Sequence, residues 1–452
     1  MNSVYTDRVL RFVQKFDWAE VPPAVRHQTQ RCLLDTLGAL IAGTQTSPAK
    51  IVATVAERQY GGAEATILVR GSKTSAAGAA LANGFSANAL DIDDGYRAIK
   101  GHPGACALPV VLTAAELSPS CTGTDFLTAL LIGYELGIRA GLIRHARYTT
   151  YHSSGSWGAV AGAAAAGRLL GLSPKALRHA MGAAEYHAPI APMMKGIETP
   201  SMGKDGIGWG AMVAMLSVLM AKAGFTGIEP IFSDTPEPSW IDNLGREWEV
   251  LNLYFKPYAA CRWAQPAVDG ALHIQAQTGL RPEDVSAIRI RTFEAACALS
   301  IRPPTNTEEA QYNIAFPVAA ALIDGEVGPR QVLPPRIDDA DILDILLKTR
   351  TEVVQDYETA FPARTYAEVV IETTGGETFS SGRMEPRWEA PDSLPADGEL
   401  ESKFRWLVKP VLGEKRCDRL ISTVWDFEGV TDAAKLIRLC GPSTLFRGGD
   451  LW

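Results

Sequence analysis

Apolar residues recur every three or four positions through most of the first 250 residues. This spacing predicts amphipathic helices, which we place at 23–43, 75–90, 124–148, 156–172 and 208–224. Several of these segments carry Ala and Gly on more than one face, and small side chains let helix axes approach one another. The pattern therefore indicates closely packed, buried helices.

The pattern changes between about 280 and 390, where apolar and polar residues alternate with the two-residue period of strands. Strands are predicted at 285–293 and 366–385, the second around a Gly-Gly hairpin signal. The other predicted elements are helices at 307–325, 339–350 and 399–427 and a Pro- and acid-rich linker at 385–398. We therefore predict a mainly α fold with an α+β module: residues 1–255 and 397–452 form a large all-helical domain, and residues 256–396 form a smaller inserted domain.

Composition limits the possible partners. The chain has 452 residues, a net charge of −8 and a pI near 5.5, whereas nucleic acids and anionic membranes select for a basic surface. We therefore predict neither partner, and an anionic substrate would need a local positive pocket. Seven scattered cysteines without a C-x-x-C pair suggest no disulfide framework or zinc site. With no apolar signal-peptide segment at the start, the prediction is a cytoplasmic protein.

Three aspartates lie within four positions at 91–94. A calcium loop of the EF-hand type needs oxygen ligands at alternate positions and a Glu at the twelfth, but the twelfth residue from Asp91 is His102. The calcium interpretation therefore fails. A hydrated magnesium site needs only one or two carboxylates and stays open, although we predict no metal.

Two histidines stand at predicted helix starts. His102 precedes Pro103, which suits the first helical position, and His152 precedes Ser153 and Ser154, both possible N-caps. Because the positive end of a helix disfavours an imidazolium, we expect both rings to be neutral near pH 7 and able to transfer a proton. The alternative is that each is simply a polar residue at a helix entry. The other histidines fall within helical patterns and are taken as structural: His27, His145, His179, His187 and His273.

Two lysines are also candidates. Lys204 lies on a glycine-rich entry to an apolar helix, and Lys256 precedes a proline at the predicted domain boundary, with Arg262 six residues on. Domain boundaries are preferred pocket positions, although a surface lysine is the usual alternative. Cys261 is more simply a small buried residue than a nucleophile, since no base stands beside it in the sequence.

Several motifs are absent from the sequence. The glycines of 158–167 lack the preceding strand and following acidic residue of a dinucleotide site, and neither G-x-S-x-G nor H-E-x-x-H occurs. A redox-cofactor enzyme and a serine hydrolase are therefore disfavoured.

Six blocks in order resemble the MmgE/PrpD family: LDTLGALIAG, ANALDIDDGYRAIKGHPGA, YHSSGSWGAVAGAAAAGRLLGL, MGKDGIGWGAMVAMLSVLMAKAGFTG, KPYAACRWAQPAVDG and TEEAQYNIAFPVAAALIDGEV. The family includes 2-methylcitrate dehydratase, cis-aconitate decarboxylase and iminodisuccinate epimerase. The resemblance implies a large helical domain with a smaller α+β lid, a homodimer, and no cofactor or iron–sulfur cluster.

The resemblance also implies a site. The catalytic candidates are Asp91, His102, His152, Lys204 and Lys256, and the substrate-binding candidates are Arg97, Lys100, Tyr151, Cys261 and Arg262. Asp91 would orient His102, with Arg97 or Lys100 balancing charge at the rim, while Asp93 and Asp94 either take part directly or serve as helix-end or salt-bridge residues. The chain departs from the family at Asn88 and Gln265, where histidines are frequent, and at Cys261, where cis-aconitate decarboxylase has a histidine.

The function implied is a cofactor-independent lyase, a dehydratase in the first instance, acting on a small di- or tricarboxylic acid. A cis-aconitate-type decarboxylase is a further alternative, although loss of the histidine at position 261 counts against decarboxylation of cis-aconitate. The eleven-residue step from Asp91 to His102 leans towards the epimerase, which is the second alternative. A non-catalytic carboxylate-binding homologue is the third, and retention of the other site residues makes it the weakest.

Overall fold

The computed structural model describes residues 3–148 and 150–441, which are mostly helical. The helices of the first part are α1 Val4–Lys15, α2 Pro23–Gly43, α3 Ser47–Gln59, α4 Ala76–Asn88, α5 Pro103–Glu116, α6 Gly123–Arg147, α7 Ser154–Leu169, α8 Pro174–His187, α9 Met193–Glu198, α10 Ile207–Lys222 and α11 Ser239–Asp242. Those that follow are α12 Gln265–Thr278, α13 Glu294–Cys297, α14 Thr307–Gln311, α15 Ala315–Asp324, α16 Pro329–Val332, α17 Ala340–Leu347, α18 Gln355–Ala360, α19 Asp397–Leu412, α20 Glu414–Trp425 and α21 Ala434–Leu439. The five helices predicted before residue 250 are confirmed.

The core of the first part is built around α7, which packs against α5, α6, α8 and α10. Its residues from Ser154 to Gly167 are all buried. Close approach depends on small side chains, since a Cβ at Gly158 would overlap the Cys106 sulfur on α5. The Ala- and Gly-rich pattern thus has the packing role that the sequence predicts.

The strands form a two-stranded hairpin and a four-stranded mixed sheet. They are β1 Ala65–Thr66, β2 Lys73–Thr74, β3 Val285–Thr292, β4 Thr349–Val353, β5 Ala367–Thr373 and β6 Thr378–Ser380. The larger sheet has the order β4-β3-β5-β6, with β3 parallel to β4 and antiparallel to β5. Helix α12 packs against β5 and α15. The prediction at 307–325 was partly wrong, because two helices, α14 and α15, replace one; that at 339–350 was wrong in its last residues, which begin β4.

The end of the described chain returns to its beginning, because α19 packs against α2. Between them Lys403 Nζ lies 2.5 Å from Asp35 Oδ1 and 2.7 Å from the Ile92 carbonyl oxygen, and all three residues are buried. A residue near the C-terminus thus holds the backbone of the 91–94 segment. The division into domains at 255/256 and 396/397 stays a prediction.

Helix α6 is long and apolar enough to cross a membrane by length and composition alone. However, 94% of its most apolar window is buried inside the fold, as in the core helix of a folded domain.

We predict that Lys403→Met lowers stability by about 3–5 kcal/mol, because it leaves the Asp35 carboxylate buried without its counter-charge. The midpoint of urea unfolding measures the effect. The double variant Asp35→Asn/Lys403→Met, which buries no lone charge, should recover part of the loss. A single variant as stable as the unmodified protein would contradict the role given to this pair.

Candidate active site

A cleft is lined by residues from both parts of the chain and encloses about 650 Å³, including its open mouth. Its lining comprises Asp91, Arg97, Lys100, His102, Tyr151, Met193, Ile197, Asp205, Tyr254, Lys256, Cys261, Arg262, Trp263, Tyr312, Phe361, Pro362, Thr365 and Glu389. Eight of the ten predicted site residues are in this set; His152 and Lys204 are not. Polar groups that converge in a cleft are typical of small-molecule sites.

The backbone around the cleft is unusual. Five described non-glycine residues have positive φ, and three of them are predicted site residues: Asp91 at 51°, Lys100 at 48° and Lys204 at 41°. A fourth, Trp388, directly precedes Glu389 of the lining. Side chains rarely adopt this conformation, and such residues cluster at functional sites.

Asp91 and Lys256 form a buried ion pair at the base of the cleft. Lys256 Nζ lies 2.8 Å from Asp91 Oδ1 and 3.0 Å from the Asp91 carbonyl oxygen. Burial alone would raise the pKa of Asp91, but Lys256, Lys204 and His102 together lower it to about 2. Burial alone would lower the pKa of Lys256, but Asp91 raises it above its ordinary value. Both groups are therefore charged at neutral pH.

His102 lies between two carboxylates. Its Nδ1 is 2.9 Å from Asp93 Oδ2 and 3.1 Å from the Asp94 carbonyl oxygen, and its Nε2 is 3.5 Å from Asp91 Oδ1. Asn88 Nδ2 donates to the other oxygen of Asp93. Burial opposes the imidazolium, but Asp93 outweighs it and raises the pKa of His102 to about 8.

The prediction of a neutral His102 was therefore wrong. Its place directly before α5 is as predicted, but the effect of a helix N-terminus is small beside a carboxylate in direct contact. His102 is an imidazolium near pH 7 and can act as a proton donor.

Asp94 belongs to a second network behind the cleft. Its Oδ1 accepts from the Gly104 N–H at the start of α5, and its Oδ2 accepts from the Tyr134 hydroxyl. Burial, and then the neighbouring Asp35, raise the pKa of Asp94 to about 7. A side chain at Gly104 would overlap the hydroxyls of Tyr134 and Thr36. Asp94 thus anchors the helix that begins at His102 and does not line the cleft.

Three ligand atoms, from Asp91, Asp93 and His102, lie within 4.8 Å of one another. Their number would suit a metal ion, but the Lys256 ammonium is 2.8 Å from Asp91 Oδ1. A cation at this position would be repelled by that ammonium and by the protonated His102. We therefore assign this cluster to ion pairing.

Lys204 lies near Asp91 but is not part of the cleft lining. Its Nζ donates to Gln311 Oε1 at 2.5 Å, lies 5.4 Å from the centre of the Tyr312 ring, and helps to lower the pKa of Asp91. The next residue, Asp205, lines the cleft and accepts from the hydroxyls of Tyr312 and Ser154.

His152 is buried beside the cleft. Its ring lies 6.5 Å from that of His145 and 5.6 Å from that of Tyr148, and neither ring nitrogen has a hydrogen-bond partner among the described residues. Burial and then the nearby Arg144 lower its pKa. A lowered pKa favours the neutral ring, which is the form that the sequence predicts. The neighbouring Tyr151 does line the cleft, where its hydroxyl donates to the Lys100 carbonyl oxygen.

The remaining predicted substrate-binding residues supply cations and a thiol. Arg97 and Arg262 both contact Glu389, and the Lys100 ammonium lies 5.2 Å from the centre of the Tyr151 ring. Burial raises the pKa of the Cys261 thiol to about 12, so it is neutral. Gln265, where the family often has histidine, accepts from Arg262.

Sequence reasoning missed Asp205, Tyr254, Tyr312 and Glu389. Asp205 directly follows the predicted Lys204, and this position in the sequence could have identified it as a candidate. Glu389 lies in the segment predicted as a linker, and nothing in its local pattern indicates a cleft residue. Tyr254 and Tyr312 are brought in by the folding of distant segments.

The chain folds into a mainly helical protein in which buried ion pairs and cations line one cleft. The chain belongs to the MmgE/PrpD family: sequence models of the MmgE/PrpD N-terminal and C-terminal domains match residues 7–243 and 258–427. The resemblance seen in the six blocks is confirmed.

The chain is similar to three curated proteins over nearly its whole length. It is 27% identical to cis-aconitate decarboxylase of Homo sapiens, over 93% of this chain and 91% of that protein. It is 24% identical to cis-aconitate decarboxylase-like protein oryM of Aspergillus oryzae, over 96% of both chains. It is 22% identical to cis-aconitate decarboxylase of Aspergillus terreus, over 97% and 96%.

We predict that Asp94→Asn gains stability relative to the unmodified protein as pH rises from about 4 to about 7. The folded state holds the Asp94 proton up to a pKa of about 7, whereas an unfolded Asp releases it near its ordinary pKa of 3.8. Stability of the unmodified protein is therefore lost across this window, and the amide has no proton to lose. Thermal midpoints of both proteins across pH 4–8 measure the difference; a constant difference would contradict the raised pKa.

Proposed function

We propose that this protein is a cofactor-independent lyase acting on a small di- or tricarboxylic acid. The observation that carries the proposal is the combination of a protonated His102 and the Lys256 ammonium in one cleft with Arg97, Lys100 and Arg262. The cations suit carboxylate groups of a substrate, and His102 suits proton transfer next to one of them. The family and its curated relatives support an enzyme of the lyase kind.

The difficult step of such reactions is the formation of negative charge on a carbon beside a carboxylate. Lys256 is fixed by Asp91 at the base of the cleft, so its charge is in place before the reaction begins. Preorganised cations of this kind stabilise developing negative charge without reorganisation. His102 can then deliver a proton from the ring that Asp91 and Asp93 hold.

Dehydration is the form we propose first. A base removes the proton from the carbon next to a carboxylate, and the hydroxyl on the neighbouring carbon leaves as water after protonation by His102. Asp205 is the candidate base. It lines the cleft, and Ser154 Oγ holds it beside the start of α5 by accepting from the backbone N–H of His102 and donating to Asp205.

Decarboxylation is the second candidate, and the names of the curated relatives favour it. The carbon–carbon bond to a carboxylate breaks, carbon dioxide leaves, and the carbanion takes a proton from His102. This route needs an acid but no base, which suits a protonated histidine. The neutral Cys261 thiol, at a position where cis-aconitate decarboxylase has a histidine, counts against cis-aconitate as the substrate.

We predict that His102→Gln lowers kcat by about 10²- to 10⁴-fold, the usual contribution of a positioned acid. Activity of the unmodified enzyme should fall as pH rises through about 8, because the imidazolium then loses its proton. Asp93→Asn should move this fall to lower pH, since the carboxylate that stabilises the imidazolium is removed. His187→Gln, which changes an exposed histidine at the end of α8, is the matched control. An unchanged pH profile in Asp93→Asn would contradict this role of His102.

The reaction itself is tested by proton NMR in deuterated water with a chelator present. The substrates are 2-methylcitrate, citrate, cis-aconitate, itaconate and iminodisuccinate, with His102→Gln beside the unmodified enzyme. New olefinic signals from a hydroxy acid would indicate dehydration, and loss of a carboxylate with one deuterium gained would indicate decarboxylation. Deuterium entry with inversion and no elimination would instead indicate an epimerase. Binding of these acids without turnover would favour a non-catalytic homologue.

A homodimer, a cytoplasmic location and the absence of nucleic-acid and membrane partners remain proposals that rest on the family resemblance and on composition.

A further inference from the structure

Glu389 bridges two arginines at the cleft. Its Oε1 lies 2.9 Å from Arg97 Nε, and its Oε2 accepts from Arg262 Nη2 at 3.0 Å. The two arginines are 165 positions apart in the chain: Arg97 belongs to the first part, and Arg262 lies just before α12. All three residues line the cleft. One carboxylate of the protein therefore neutralises only one of two guanidinium charges.

Arg262 is a fixed binding group. Its Nη1 donates to the carbonyl oxygens of Phe255 and Arg387, and its guanidinium lies 4.3 Å from the centre of the Tyr254 ring. Its buried Nε has no hydrogen-bond partner among the described residues. These contacts hold Arg262 in position without Glu389, and its Nε–H remains without an acceptor among the described residues.

Lys100 provides a second point of attachment. Its ammonium lies over the rings of Tyr151 and Phe361, at 5.2 and 5.7 Å from their centres. No described carboxylate lies within ion-pair distance of it. The cleft therefore holds one unpaired cation and one pair of arginines that shares a carboxylate.

The Glu389 side chain is not needed to hold its own segment. The Glu389 N–H donates to Ser393 Oγ at 3.1 Å, and the preceding Trp388 carbonyl oxygen accepts from the Phe255 N–H at 2.9 Å. Because the backbone is anchored separately, the carboxylate is free to exchange partners.

We propose that Glu389 is an internal ligand of the Arg97–Arg262 pair that a substrate carboxylate displaces, and that it sets the affinity of the cleft for polycarboxylates. This inference rests on the proposed function and specifies it: one substrate carboxylate binds at Lys100 and a second at the arginine pair. A tethered carboxylate competes at high effective concentration, so the second carboxylate binds more weakly than the arginines alone would allow. Acids with a single carboxylate bind at Lys100 without this competition.

The test is Glu389→Gln, which keeps the size of the side chain and removes its charge. Thermal-shift titrations with acetate, succinate and tricarballylate measure binding without requiring turnover. We expect Glu389→Gln to bind succinate and tricarballylate about tenfold more tightly than the unmodified protein, through loss of the tethered competitor. Acetate binding should change by less than about twofold. Any turnover found should show a lower KM and little change in kcat.

Glu385→Gln is the matched control. It removes a glutamate that pairs with an arginine, Arg364, at 2.9 Å, but this pair is exposed and outside the cleft lining. Binding of all three acids by Glu385→Gln should match that of the unmodified protein.

The outcomes separate this inference from the proposed function. Weaker or equal binding of succinate and tricarballylate by Glu389→Gln would overturn the inference and make Glu389 a structural tie between the two parts of the chain. Tighter binding without turnover of any acid would support the inference and overturn the lyase. Binding of none of the acids by any of the proteins would overturn both.

Discussion

A carboxyl group removed from water is stable only where cations or hydrogen-bond partners replace its solvation, and the 91–94 segment buries three of them. Each is stabilised differently: Asp91 by the Lys256 ammonium, Asp93 by the His102 ring and Asn88, and Asp94 by the Gly104 N–H and Tyr134. These partners come from four separate parts of the chain. The requirement to supply partners for these buried groups therefore brings together the elements that form the cleft.

This pairing also explains how one short segment serves two purposes. Asp91 and Asp93 face Lys256 and His102 and fix their charges, so the proton donor and the cation are set before any ligand binds. Asp94 faces the other way, into a network that anchors α5. The positive-φ backbone at Asp91 is held by Lys256, whose ammonium donates to both the side chain and the carbonyl oxygen of Asp91.

The sequence predicts the regular parts of the fold because they depend on local patterns. Apolar periodicity identified the long helices, and alternation with Gly-Gly identified the β5–β6 hairpin. Strand β4 was missed because it follows α17 almost directly and has a single apolar residue, Val353, so no alternation of apolar and polar positions marks it as a strand. The charge of His102 was misjudged because a helix end is visible in the sequence, whereas the distances to Asp93 and Asp91 are products of the fold. Glu389 and Tyr312 gave no local signal for the same reason.

The position of Lys403 has a consequence for synthesis on the ribosome. Chains are made from the N-terminus and early segments fold first, so the helices that carry Asp35 and the 91–94 segment are made long before residue 403. Until α19 emerges, Asp35 and the Ile92 carbonyl lack the ammonium that joins them. A chain that ends before this helix therefore contains every residue of the cleft lining but not the contact that holds the backbone beside Asp91, so the site is completed only after α19 has been made.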